Sequence, residues 1–207
     1  MAIEAGIEMS KCYLLKSDGK QHFVTERFDM DREGKRYHVH SLAGLLHTDY
    51  NIPRETDYRG LFRVAVRLNA SGSLKQLFRQ MLFNYFFVNQ DDHSRNFSFM
   101  CDENYHWKAT PGYDITFAKG EKQTVEHQLS CNGKPLSQIT IDDIAEVAQE
   151  FSVYKDDEEL VKDLLHMKDI RDEKLAPLMK QYGVAEEKYN QVLHATAARN
   201  LQGALDV

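Results

Sequence analysis

Two acids and an amide stand at a spacing that suits phosphate chemistry. Asp91 opens the run Asp-Asp-His-Ser-Arg-Asn96, and Asp114 closes the later run Pro-Gly-Tyr-Asp. A hard cation such as Mg²⁺ takes oxygen ligands and keeps several waters. One carboxylate, one carboxamide and a substrate's own phosphates therefore suffice to hold it. A second carboxylate can then accept the proton of an attacking hydroxyl. On this reading Asp91 is the base and Asn96 and Asp114 are the metal ligands. The spacing gives the base role to Asp91 and leaves Asp92 as an acidic neighbour or a loop-forming Asx residue. Asp and Asn also gather in loops for a plainer reason, because they satisfy local backbone groups.

Positioning such groups requires rigid support, since chemistry done by alignment tolerates little movement. The support is written just upstream. Leu74, Leu77, Phe78, Met81, Leu82, Tyr85 and Phe86 recur at helical spacing, with Lys75, Gln76, Arg79 and Gln80 opposite, so a core-facing helix runs from near Ser73 into the acidic loop. Residues 97–101 and 106–109 read as a hairpin that returns Asp114 beside Asp91 and Asn96. Before these, residues 12–15, 22–27 and 36–40 read as strands of one small sheet, and helical spacing begins after Ser41. Beyond a polar loop over 117–123, residues 125–135 read as a further hairpin. Helices are then expected over 140–151, 158–167, 173–182 and 185–201, with Thr140 as a cap and Gly183 as a stop. The fold class this predicts is α+β, mostly α: a helical bundle with small β-hairpins, preceded by strands.

With 207 residues, 42% of them hydrophobic, the chain can bury a real core in one compact unit. Lys and Arg number 26 against 32 Asp and Glu, a net charge of -6 that speaks against direct nucleic-acid binding. Three widely separated cysteines, Cys12, Cys101 and Cys131, fit a reducing cytoplasm rather than a disulfide scaffold. No signal peptide and no apolar run long enough to span a bilayer is visible.

The stretch from Asn89 to Phe99 (NQDDHSRNFSF), with Trp107 to Asp114 (WKATPGYD), resembles the signature of the HipA-like Ser/Thr kinases, the toxin components of bacterial toxin–antitoxin pairs. The likeness extends upstream to AGIEM at 5–9 and TERFD at 25–29, and downstream to HQLSCNGK at 127–134. It implies a protein-kinase-like C-terminal lobe with ATP and Mg²⁺ as cofactors. Residues 1–40 would be hinge-adjacent strands left from the N-lobe side, and 41–207 the helical lobe carrying the catalytic and metal loops. Glu26 and Phe28 would meet the adenine edge through their backbone, with Asp29 near the ribose and Tyr113 near the nucleotide. Asp91 would be the base, and Asn96 and Asp114 the metal ligands. Arg95 would offset transferring phosphate charge. Family targets include aminoacyl-tRNA synthetases, and the implied partner is a helix-turn-helix antitoxin of HipB type.

The chain departs from that pattern in one respect. It opens just before the hinge, and neither a phosphate-binding loop nor a strand lysine can be assigned. Gly72 is a single glycine with no preceding strand, and Lys11, Lys16 and Lys20 read as solvated. A separate chain supplying the missing half, or a catalytically inactive remnant that binds partners, are both consistent with this. Zinc pairings of His127 with Cys131 or Cys101 with His106 lack the paired spacing of a closed site. A hydrolase built on Ser94 and His93 lacks the nucleophile elbow.

Overall fold

The computed structural model describes residues 1–120 and 122–201. The chain folds as α+β, mostly α. A two-stranded hairpin, β1 (Cys12–Ser17) with β2 (Lys20–Thr25), precedes the strand β3 (His38–Ser41) and a short helix α1 (Leu42–Leu46). Two longer helices follow, α2 (Tyr58–Arg67) and α3 (Leu74–Phe86), and then strands β4 (Ser98–Cys101) and β5 (Trp107–Ala109). A minimal ribbon of β6 (Ser130–Cys131) and β7 (Lys134–Pro135) leads into α4 (Ile141–Glu150), α5 (Asp157–Gln181) and α6 (Glu186–Ala197).

The sheet partners differ from the sequence expectation. β3 does not join β1 and β2 but pairs antiparallel with β4, which pairs with β5. Alternation within a strand does not name its neighbour, and the Leu42 N–H donated to the Phe97 carbonyl at 2.8 Å extends the β3–β4 register into the start of α1. The hairpin expected over 125–135 shrinks to the β6–β7 pair, preceded by a 3-10 turn over Lys122–Val125.

Helix α3 is the axis of the body and is buried nearly all round. Phe78 stacks on Phe62 of α2 with centroids 5.7 Å apart and meets Tyr154 edge-on at 5.4 Å. The supposed polar face is therefore not a solvent face. Arg79 grips Asp163 of α5 with two hydrogen bonds of 2.8 and 2.9 Å, Lys75 pairs with Glu159, and Gln76 donates to the Thr110 carbonyl at 3.0 Å. Long cationic side chains carry their charge out to partners on α5 while their stems cover apolar surface.

α5 runs unbroken where two helices were expected. Residues 168–172 hold no Gly or Pro, and Ile170 and Arg171 are buried, so packing carries the helix through them. Pro177 lies inside the last part of the helix. Arg171 then reaches the far end of α6, donating to the carbonyls of Thr196 and Arg199 at 3.3 and 2.5 Å, which satisfies groups a helix end leaves open. The last helix ends at Ala197 rather than 201. Of the polar loop expected over 117–123, residue 121 lies outside the described residues.

α4 starts as its sequence predicts. Thr140 caps it, and Thr140 and Asp143 form a reciprocal capping box. Burial alone would raise the Asp143 carboxyl, but Lys134, the Thr140 backbone and hydroxyl, and Asn132 together bring it down to about 2. A depressed folded-state value means stability present above the unfolded carboxylate range and lost as pH falls through the folded value. Asp143→Ala should cost about 2 kcal/mol at neutral pH. In urea denaturation the gap between wild type and variant should close as the pH is lowered from about 4 to about 2.

Candidate active site

The acidic loop hangs from the end of α3 by a strained residue. Val88 is fully buried and sits at φ +56°, a left-handed conformation that a β-branched side chain rarely adopts. It holds there because both sides are fixed. Asn89 N–H donates to the Asn84 carbonyl at 3.0 Å, and the Val88 carbonyl accepts from Ala118 N–H at 3.1 Å. Gln90 N–H returns a bond to the Ala118 carbonyl at 2.8 Å, so the loop and the segment after Asp114 are joined as a short parallel bridge.

Within the loop, Asn96 closes back on Asp91. Its Nδ2 donates to the Asp91 carbonyl at 2.8 Å, and its backbone N–H to the His93 carbonyl at 2.9 Å. The amide orientation is thereby set, with nitrogen committed and Oδ1 as the atom available to a cation. Asp91 is half-buried. Burial pushes its carboxyl above the usual range, His93 opposes that, and the charges of Asp114 and Asp92 add to it. Asp91 and Asp114 thus share one electrostatic neighbourhood.

Asp114 is delivered by a close backbone approach. Gly112 N–H donates to the Glu8 carbonyl at 2.7 Å, and a Cβ at Gly112 would fall 2.8 Å from Ile115 and 2.9 Å from Met9. A larger residue there would have to displace the ends of both side chains. Two residues on, Asp114 takes φ +53°, which Asp tolerates better than most side chains, and is exposed. It faces a cleft of about 700 Å³, also lined by Cys12, Phe23, Glu26, Phe28, Asp29 and Tyr113.

The expected nucleoside residues therefore share one cleft with Asp114, while Asp91 and Asn96 belong to the loop beside it rather than to its lining. Phe28 lies against Tyr113 with centroids 5.6 Å apart. Tyr113 is pinned from behind, its hydroxyl donating to the Arg95 carbonyl at 2.5 Å and accepting from Ser98 Oγ at 2.6 Å. Glu26 has its N–H committed to the Lys11 carbonyl at 2.8 Å. Asp29 is gripped by Arg27 at 2.8 and 2.5 Å, and that pair holds its carboxyl below the usual range. The Arg95 guanidinium lies 4.7 Å from the centre of the Tyr50 ring.

Sequence reasoning passed over Asp92. Its side chain is 0% exposed and accepts from Tyr58 Oη at 2.6 Å, from Gln128 N–H at 2.7 Å and from His127 Nδ1 at 3.1 Å. Tyr58 Oη in turn accepts from Asn84, which accepts from Asn89. The signal that could have found this network is Asn84, a lone amide in the otherwise apolar end of α3. The zinc pairings find no support. His127 is engaged with Asp92, burial pushes the Cys131 thiol up to about 12, and His106 lies against Asp102. Among the described residues no group of three or more His, Cys, Asp and Glu forms a cage for a metal, and no helix is long and apolar enough to cross a membrane.

A small sheet and hairpin ahead of a helical body, with an Asp-to-Asn loop at the end of its central helix, define a protein-kinase-like C-terminal lobe. The sequence matches the HipA-like C-terminal domain over residues 1–199, and the chain belongs to that family. A Haemophilus influenzae protein described as "Putative kinase" is 28% identical over 126 residues, 54% of this chain and 37% of that protein. The HipA chain of a Shewanella oneidensis complex of HipA, HipB and operator DNA superposes with a TM-score of 0.70 at 15% identity, over 95% of this chain and 51% of that one. The chain thus spans about half the length of the solved relative and less of the curated one.

The shared neighbourhood of Asp91 and Asp114 has a direct readout. Removing the Asp114 charge with Asp114→Asn should lower the Asp91 titration toward the ordinary carboxylate range, followed by carbon-detected NMR of the labelled side chain. An Asp91 titration that stays where it is in wild type would show that the two acids do not interact.

Proposed function

We propose that this chain is the catalytic-loop half of a Ser/Thr protein kinase that transfers the γ-phosphate of ATP to a protein hydroxyl. The observation that supports the reading is that Asp114 lines one cleft with Glu26, Phe28, Asp29 and Tyr113, while the Asn96 side chain closes the neighbouring loop onto the Asp91 carbonyl. Asp91 accepts the proton of the attacking alcohol. Burial raises its carboxyl, which makes it a stronger base than an ordinary aspartate. Asn96 Oδ1 and the Asp114 carboxylate are the donor set for Mg²⁺, hard oxygens too few to bind it without a phosphate and water to complete the shell. When bound, that ion neutralises charge on the phosphates. Phe28 and Tyr113 flank the nucleoside, the Glu26 carbonyl and the Phe28 backbone meet the base edge, and Asp29 lies near the ribose, in competition with Arg27.

The phosphate end of the cleft is poorer. Among the described residues no lysine lines it, and the one arginine that does, Arg27, is already paired with Asp29. The β1–β2 hairpin beside it bares apolar side chains on both faces, Leu14 and Phe23 on one and Tyr13 and Leu15 on the other, with Phe23 68% and Tyr13 55% exposed. A two-stranded hairpin is marginal alone. Residues 1–40 therefore read as one wall of a cleft that a further polypeptide segment completes over the helical body of 41–207, supplying the missing cation. By the family and the solved relative, a HipB-type helix-turn-helix antitoxin is the proposed partner in a cytoplasmic toxin–antitoxin pair. An aminoacyl-tRNA synthetase is the proposed class of target. With a net charge of -6, we assign DNA contacts in such an assembly to the antitoxin.

The lack of a phosphate-binding cation favours a second reading, an inactive module that keeps the partner surface, and one experiment separates the two. Calorimetry with ATP and Mg²⁺ should show weak binding to the chain alone and tighter binding once a segment covering the hairpin is added. Transfer of labelled phosphate should then fall by about 10²–10⁴-fold in Asp91→Asn. Asp114→Asn should remove the Mg²⁺ dependence of binding. No nucleotide binding in either form would leave the partner-binding module.

A further inference from the structure

Asp92 is an expensive residue to bury. A carboxylate withdrawn from water costs several kcal/mol unless donors replace the lost hydration, and an apolar side chain of similar size would carry no such cost. Its donors come from two places far apart in sequence. Tyr58 lies on α2, and His127 and Gln128 lie on the segment that follows Asp114. Burial and the Asp92 charge raise the Tyr58 phenol well above its ordinary range, so it stays protonated and donates. His127 is itself fully buried, and its Nε2 has no partner, so Asp92 is the polar group its ring is fixed by.

The same segment is otherwise held to the body by Arg54 N–H to the Gln128 carbonyl at 2.7 Å, Ser130 N–H to the Thr56 carbonyl at 3.3 Å and Ser130 Oγ to Asp57 at 2.8 Å. None of these touches residues 89–96. The bonds from His127 and Gln128 to Asp92 do. If the segment lifts away, Asp92 loses two of its three donors, one residue from Asp91, and the loop loses the bonds that fix it on that side.

We propose that Asp92 is a positioning residue that makes the placement of Asp91 conditional on docking of residues 126–130, so that the segment after Asp114 acts as a switch on the acidic loop. The proposal rests on the kinase reading only for what the switch controls. The coupling itself is a property of the fold. It goes beyond a structural tether because it ties two segments to each other and not merely each to the body.

The test uses the described chain, with backbone amide exchange followed by NMR. His127→Ala removes a donor, and His127→Asn returns an N–H near the position of Nδ1. His127→Ala should speed exchange about tenfold or more both at Gln128, whose amide donates to Asp92, and at the loop amide of Asn96, with α5 unchanged. His127→Asn should restore both. Asp92→Asn, where it folds, should act like His127→Ala. Faster exchange confined to 126–130, with the Asn96 amide as in wild type, overturns the proposal, as does failure of the asparagine variant to rescue a loop that His127→Ala has loosened. Where the completed assembly transfers phosphate, His127→Ala should lower kcat with the KM for ATP little changed, and a rise in KM alone counts against the switch. A wild-type assembly that transfers none refutes the kinase reading, while the exchange data still decide the coupling.

Discussion

A charge taken out of water must find donors, and the region around the acidic loop is arranged to meet that need at Asp92. Its three donors fix where α2 stands relative to the loop and where residues 127–128 cross above it. Through Tyr58 the same network runs on to Asn84 and Asn89, so the polar atoms at the end of α3 answer one another across a largely apolar core. Remove the carboxylate and Tyr58, His127 and Gln128 each lose an acceptor in a place without solvent, which is why such networks tend to stand or fall together.

The helical body was legible in the sequence because burial on one face leaves a period of 3.6 in the apolar residues. Leu74 to Phe86 carried that period, and the Thr140 cap and the Gly183 stop marked boundaries correctly. What failed were judgements that depend on partners. Lys75, Gln76 and Arg79 were legible as the polar face opposite the apolar stripe, but the specific acceptor each finds on a neighbouring element was not. β3 looked like a third strand of the first hairpin because strand patterns do not encode which neighbour they take. The split expected in α5 had no Gly or Pro behind it and reflected only a local rise in charge.

The candidate site divides along the same line. Asp91, Asn96 and Asp114 stand out from spacing and residue type, since few side chains can do hard-ion and proton chemistry, and their roles remain part of the proposal. Asp92 was set aside because one residue's shift in register removes it from the base position, and nothing in a linear sequence shows that a donor from residue 127 will arrive above it. Val88 was equally hidden. A valine offers no local reason for a left-handed conformation, and only bonds to residues 84 and 118 explain why it is held there.

The two ends of the cleft differ in how complete they are, and that difference bears on what the chain can do. On the proposed kinase reading, the nucleoside end needs shape and apolar contact, which Phe28 against Tyr113 would supply, with Ser98 and the Arg95 carbonyl holding the tyrosine from behind. The phosphate end would need positive charge, and among the described residues the one cation lining the cleft, Arg27, is paired with Asp29. Apolar contact contributes to binding whether or not chemistry follows, whereas phosphoryl transfer depends on charge stabilisation aimed at the reacting group. Under the kinase proposal, a cleft furnished at the first end and wanting at the second would hold a nucleoside more readily than it would turn one over.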